Sequence, residues 1–462
     1  MKKILGLIPL LGLLLVLTCA PASALSDGEY EYTLQNNEVR LDKYIGSGGD
    51  VTIPTTIRGI PVTVIGDRCF AYTDDVTSIY VPGTVREIGI QAFAQTDQAP
   101  TLKKVVIAEG VSKIKDMAFI HATGLTDVQL PSSLASSLSQ AKVVFSGCTS
   151  LPHITLPYGM TAITYHMFEG CDNLRSVSLP ATIQTIGEYA FYECDLRSVE
   201  IPRDTQFIDE FAFSRNMNLQ KLTFAGNKLT EIEDGAFKTT DLQGVLLLPT
   251  SLKTLGTHVF TESDGLTGAA LPYGFTKIAG TAPFYQCGNL QWVTVPSTVN
   301  NILGSSGDII KECPNAIVYC PAGSFAEKMC QKKGNSYLTD PSADTTIPVL
   351  YNGQRISFGS YGQNPTIINS RTMVPLRSIF EAMGADVSWD NDTRTARGER
   401  NGTTVSIAIG SNVLYVNGRA VGLDSPACII NNRTMVPVRA IAEAFQATVD
   451  WDNPSRTVII AE

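Results

Sequence analysis

Ten cysteines and four histidines are the residues of this chain best suited to chemistry, and their spacing decides how much they can do. His121, His153, His166 and His258 stand far apart, and none falls in a nucleophile or zinc motif. A general base must lie within hydrogen-bond reach of the proton it takes. The chain has no Gly-x-Ser-x-Gly, no His-Glu-x-x-His and no phosphate-cradling glycine loop to organise such contact. No catalytic, cofactor-binding or metal-ligating residue is therefore assigned. Asp390-Asn391-Asp392 could begin a calcium loop, but the glycine and distal glutamate of such loops are missing, so it reads as a turn. Arg377 with Glu381, and Arg439 with Glu443, are spaced four apart as surface ion pairs on helices.

The cysteines make sense only against the elements that carry them. Phe70, Phe93, Phe119, Phe145, Phe168, Phe191, Phe213, Phe237, Phe260 and Phe284 follow one another at 22 to 26 residues. Five residues before most of them is an aliphatic: Ile65, Ile88, Ile114, Ile163, Ile186, Ile208, Ile232 and Leu255. After each comes a short alternating stretch that often closes on proline, as in "LRSVSLP" from Leu174 to Pro180. A unit this small cannot bury its own apolar face and must stack on its neighbours, so the period predicts a solenoid. Strand alternation points Leu174, Val177 and Leu179 inward and Ser176 and Ser178 outward. Ten such coils at about 4.8 Å make a rod on the order of 50 Å.

Cys148, Cys171, Cys194 and Cys287 each fall three residues after a ladder phenylalanine, a core position where a free thiol acts as a small hydrophobe. Pairing between neighbouring coils is the alternative for these four. Cys313, Cys320 and Cys330 lie in a closing segment better suited to one disulfide. None has Cys-x-x-Cys spacing for a metal.

"IQTIGEYAFYECDLRSVEIP" resembles the bacterial surface-antigen (BspA-like) class of leucine-rich repeat, over roughly residues 52–296. "YIGSGGDVTIPTTIRGIPVTVIGDRCF" resembles the N-terminal cap of that class and "AIVYCPAGSFAEKMCQKKG" its closing segment. "SSLASSLSQAKVVF" lacks the Ile-Gly element, and Ala108 and Ala225 stand where proline is usual; these coils are expected to bulge.

Beyond the solenoid one unit is written twice. "NSRTMVPLRSIFEAMGADVSWDNDTRT", starting at Asn369, returns 62 residues later as "NNRTMVPVRAIAEAFQATVDWDNPSRT". Pro375 and Pro437 suit a first helical position. Leu376, Ile379, Phe380 and Met383 form an amphipathic stripe, and Gly384 ends that helix. Asn352-Gly353, Asn401-Gly402 and Asn417-Gly418 signal hairpins. Two α+β units follow. The pair resembles the copper amine oxidase N-terminal-like domain, with departures at Gln446, at the insertion "SYGQN" and at "RTARGER" where an alternating strand is expected. The resemblance implies a stalk-like or envelope-associated module outside the copper enzyme's catalytic part. All four histidines lie in the other half of the chain.

At the start, Lys2 and Lys3 precede an apolar run and "ASA" at Ala22–Ala24, the pattern of a cleaved export signal. Cys19 is a weaker candidate for lipid attachment, since threonine precedes it. Loss of the two lysines takes the formal net charge from −9 to −11, which repels nucleic acid and anionic polymers. No later run is long enough to span a membrane.

The organisation read from the sequence is a signal peptide at 1–24, a leucine-rich repeat solenoid with end caps at 25–336, a linker at 337–346 and tandem α+β units at 347–462. The expected function is non-catalytic binding or adhesion outside the cell or on its surface, toward a protein or glycan, with the C-terminal units associating with the envelope. A structural spacer without a ligand, or an extracellular enzyme of unrecognised type, are the alternatives. The expected binding face is the outward side of the strands: Tyr80, Lys104, Asp127, His153, Glu200, Lys221 and Trp292.

Overall fold

The computed structural model describes residues 25–95, 100–302, 307–359 and 362–462; the segment read as an export signal, with Cys19, lies outside them. The chain forms a β-solenoid of about 13 turns followed by a separate β-rich C-terminal region. An antiparallel hairpin, Tyr30–Gln35 with Glu38–Tyr44, opens the solenoid, turning at Asn36 and Asn37 with φ of 52° and 60°. Each following turn contributes a short parallel strand to one face and a two-residue bridge to another. The bridges stack Ile163, Ile186, Ile208, Ile232, Leu255, Ile278 and Ile302 in register.

The ladder phenylalanines are fully buried and stack as one column. Successive ring centroids from Phe70 to Phe284 are 5.0–5.7 Å apart, with interplanar angles of 28° or less. Tyr44 of the opening hairpin stacks on Phe70 at 5.0 Å and closes the column. The spacing follows the interstrand distance of about 4.8 Å, lengthened slightly by ring thickness and coil curvature.

The nine cysteines among the described residues are all free, eight of them buried. Cys313, Cys320 and Cys330, the cysteines better suited to a disulfide, are free as well. The repeat cysteines also do more than fill space. The Sγ–H of Cys148, Cys171, Cys194 and Cys287 donates to the carbonyl of Phe119, Phe145, Phe168 and Phe260, the ladder residue of the preceding coil, at 3.1–3.3 Å. At the same position Asn216 donates its amide to Phe191 and Phe213, and the Thr240 hydroxyl donates to Phe237. The position calls for a small donor to a buried carbonyl, because such a carbonyl left unpaired is costly.

Two expectations about irregular coils are corrected. Where the Ile-Gly element is missing, Ser132–Leu134 forms a 3-10 turn and Ala135–Leu138 a helical turn. The Ser137 hydroxyl accepts from the Ile114 amide and donates to its carbonyl, both at 3.0 Å, replacing the missing bridge. Ala108 and Ala225 cause no shift of strand register. Unlike proline they have an N–H, which donates to Val81 and Ile201 of the coil before. Register shifts fall instead at Gly49/Asp50 and Gly244/Val245, and at Glu31/Tyr32 and Val39/Arg40 in the opening hairpin.

The solenoid ends in the helix Phe325–Lys333, capped by Ser324 and stopped by Gly334 at φ 73°. Residues 337–346 are no bare connector. Tyr337–Thr339 adds a strand to the solenoid sheet, and a 3-10 turn, Pro341–Asp344, follows.

In the C-terminal region, the strands Arg371–Pro375 and Arg433–Pro437 pair antiparallel, each leading into a helix, Leu376–Ala382 or Val438–Ala444. Pro375 and Pro437 cap these helices from just outside, one residue earlier than expected. Phe380 and Phe445 meet edge to face at 5.6 Å. Gln446 takes the left-handed conformation of the missing glycine, φ 68°. "RTARGER" is a strand after all: Thr395–Arg400 pairs on both sides, with Ala396 and Gly398 turned inward. Gly398 is required there, since a Cβ would stand 2.5 Å from the Phe380 ring. Strand Val349–Tyr351 pairs in parallel with Thr457–Ala461 and joins the two ends of the region.

Candidate functional site

Six of the seven residues expected on the binding face reach solvent along the strand side. Tyr80 is 43% exposed, and His153, Glu200 and Lys221 are exposed. Lys104 and Asp127 are register partners on adjacent coils and form an ion pair at 2.9 Å. Both are largely hydrated, so the pair contributes little stability. Just before them Asp50 accepts from the hydroxyls of Ser78 and Thr77, which hold its carboxyl below the usual range. The remaining residues do not converge. His153 lines up with Ser176 in one short sheet, and Glu200 with Thr223 and Lys221 with Ser198 in another. The face is a set of side chains at coil spacing, without a central cavity.

Trp292 departs from the expectation: it is buried, 3% exposed. Its register neighbour is Gly268, where an added Cβ would stand 2.2 Å from the indole Cε2, so the ring lies flat across the glycine. The C-terminal hairpin lies beside it. Gln354 donates to the Gln291 side chain at 2.8 Å. The Arg355 guanidinium lies 4.7 Å from the Tyr319 ring centroid and pairs with Asp340 and the Ser342 hydroxyl. Leu350, opposite Arg355 on that hairpin, therefore turns to the solenoid; it is 3% exposed and belongs to neither apolar core. The amide of Thr250 donates to the carbonyl of Pro454 at 2.9 Å. The last coils of the strand face are thus docked against the C-terminal region.

A second surface was not anticipated. Two residues before the ladder phenylalanine the coils place a left-handed residue: His166, Tyr189, Phe211, Gly235 and His258 have φ of 51–62°. His166, Tyr189 and Phe211 stack outside the solenoid at 4.8 and 5.2 Å, and Tyr192 meets Tyr189 edge on at 5.1 Å. The column stops at Gly235, where a Cβ would stand 2.4 Å from Phe211. Beside this last ring is a recess of about 390 Å³ lined by Tyr189, Tyr192, Phe211, Arg215, Lys238 and Glu262, among others. Met217 on its edge is 58% exposed. Burial, with Glu188 close by, pushes the Tyr189 phenol up, so it stays a neutral donor. A signal was present in the sequence, three successive rings at one repeat position.

Among the described residues, no group of three or more histidines, cysteines, aspartates or glutamates could hold a metal, and no helix is long and apolar enough to cross a membrane. His166 bonds Glu169 through Nδ1 at 2.5 Å, a local turn contact.

The family model for the BspA type leucine rich repeat region matches in six copies, over 63–195, 139–267 and 184–313, more than half of the chain. The chain belongs to the BspA-type leucine-rich repeat family. The copper amine oxidase N-terminal domain matches residues 350–460. Similar solved structures include a leucine rich cell surface protein from Faecalibacterium prausnitzii, 25% identical, covering 67% of this chain and 97% of its own, with a TM-score of 0.41. A leucine-rich repeat protein from Bacteroides ovatus is 20% identical over 68% of this chain and 99% of its own, at 0.40. The pneumococcal vaccine antigen PcpA is 16% identical over 69% and 99%, at 0.35. No curated protein matches the chain.

Proposed function

We propose that this BspA-type protein is a non-catalytic binding or adhesion protein of a bacterial surface, exported through its N-terminal segment. Its solenoid engages a protein or glycan, and its C-terminal region associates with the envelope. The observation that carries the reading is the rigid stack of coils, which holds Tyr80, Lys104, Asp127, His153, Glu200 and Lys221 at fixed spacing on one solvent-facing side. A regular array of hydrated polar groups along a row of strands suits an extended ligand better than a small substrate. The family membership supports the same placement.

The test is an array of extracellular matrix proteins and glycans probed with the purified chain. A ligand is expected whose binding weakens when Tyr80→Ala, Lys104→Ala and His153→Ala are combined. No ligand on a broad array would favour the spacer alternative. For the envelope role, a version ending before Ile347 should be released from the cell fraction that retains the full chain; unchanged retention rejects that role.

A further inference from the structure

The recess beside Phe211 lies on the turn side of the solenoid, away from the strands, and its chemistry is specific. Its floor is aromatic: Tyr189, Tyr192 and Phe211 are each half-buried. Flat rings present apolar area at little conformational cost. Its rim is polar, with hydroxyls from Ser214 and Thr239 and charges from Arg215, Lys238 and Glu262. The volume, about 390 Å³, falls at the lower end of small-ligand sites, about 300–1,000 Å³.

The state of the rim charges narrows the ligand. Arg215 is already paired with Glu193 at 3.0 Å. Glu262 accepts from the Thr239 hydroxyl through one oxygen at 2.6 Å, leaving the other free for a further donor. Among the described residues Lys238 has no ion-pair partner. One uncommitted cation calls for a monoanion, while a free carboxylate oxygen and the tyrosine phenols call for hydroxyl groups. A phosphate dianion fits poorly, because Glu262 repels it and the Arg215 fork is occupied.

We infer that this recess binds a glycan residue bearing a ring carboxylate, a uronic or sialic acid, with the sugar's apolar face on Tyr192 and Phe211 and its carboxylate on Lys238. Ring hydroxyls donate to Glu262 and exchange hydrogen bonds with the Tyr189 phenol. Gly235 ends the exterior ring column and lets the Phe211 ring lie against its backbone, where a Cβ would stand 2.4 Å away. The inference rests on the binding reading of the solenoid and adds a ligand class at a second surface.

The full chain is titrated calorimetrically with sialyllactose and with trigalacturonate, each against its neutral parent, lactose or galactotriose. An acidic sugar should bind, its neutral parent more weakly. Lys238→Gln should weaken the acidic sugar about tenfold, the scale of a hydrogen bond to a charged group, and leave the neutral parent unchanged. Tyr192→Ala should weaken both. Among the described residues Lys238 makes no ion pair, so the melting temperature of Lys238→Gln should match the parent protein and exclude misfolding as the cause. Equal binding of acidic and neutral sugars, indifference to Lys238→Gln, or capture of unglycosylated peptides at this recess overturns the inference. If neither acid binds while an array ligand is lost with the strand-face variant, this inference alone fails. If the array is also empty, the binding reading fails with it.

Discussion

Phe191→Ala probes the claim that the solenoid is one stack held by nearest-neighbour contacts. Phe191 is fully buried, with Phe168 and Phe213 each 5.2 Å away at interplanar angles of 6° and 10°. Removing the ring loses its transfer energy and leaves a cavity between two rings that the coil spacing holds apart, about 3–5 kcal/mol. Two stacking contacts go with it, each about 0.5–1.5 kcal/mol, so the upper half of that range is expected. Because each coil touches only its neighbours, the loss should be local. Amide hydrogen exchange measured by mass spectrometry should show coils from about Ile163 to Ile232 opening more readily. The helices Leu376–Ala382 and Val438–Ala444, in a separate core, should keep their protection. A penalty below about 1 kcal/mol would mean that the column is not tightly packed, and equal deprotection of the C-terminal helices would mean that the molecule opens as one unit. Either result refutes the reasoning.

Three further outcomes follow from the same structure. Arg355→Met leaves the nearly buried Asp340 carboxylate without its guanidinium, a loss of about 3–5 kcal/mol, and should expose residues 337–346 to limited proteolysis. Burial opposes ionisation of Asp340, yet Arg355 and then Ser342 hold its pKa below 3.8; the pair is intact above that pH and should weaken as pH falls through the lowered value. Glu233 is raised to about 7 by burial, by Glu231 and by Asp234 and Asp209. It binds its proton more tightly folded than unfolded, so stability should fall as pH rises from about 4.5 to 7. It is partly hydrated, so the effect is discounted to about 1 kcal/mol, and Glu233→Gln should flatten the melting temperature across that window. Gly268→Val overpacks the space under Trp292, at about 1–3 kcal/mol, and should red-shift tryptophan fluorescence as the indole moves toward water; an unchanged spectrum rejects the docked placement.

The parts of the fold legible in the sequence are those written in repetition. The phenylalanine ladder, the isoleucine five residues earlier and the doubled "RTMVP" unit each repeat a physical requirement, and periodicity exposes the requirement. Singular features were not legible. Ser137 replaces a bridge by mimicking a backbone pair, and no pattern announces a hydroxyl acting in both directions. Tyr192, Lys238 and Glu262 form one recess from three coils, and only left-handed turns at Tyr189 and Phe211 bring their rings into line. Alternation is local, so it places strand side chains outward one by one, as Tyr80, Lys104, His153, Glu200 and Lys221 stand. Which of them meet depends on coil register, and only Lys104 and Asp127 do.

Trp292 shows why alternation is not the same as exposure. A period of two places its indole on the outer face, and the structure agrees. What the pattern omits is a second body. Leu350 and Arg355 are on a hairpin 60 residues away whose own alternation also reads as core and solvent, and each half of the chain looks complete alone. Their contact is encoded only jointly: a glycine at 268 that lets an indole lie flat, an arginine stacked on Tyr319, and an aspartate at 340 with a buried charge to balance. A tryptophan on an otherwise polar strand face, with glycine as its neighbour across the ladder, is thus better read as a docking anchor within the chain than as a free binding residue. Candidates for ligand contact are then the strand-face residues that no second body covers, as Tyr80, Lys104, His153, Glu200 and Lys221 are.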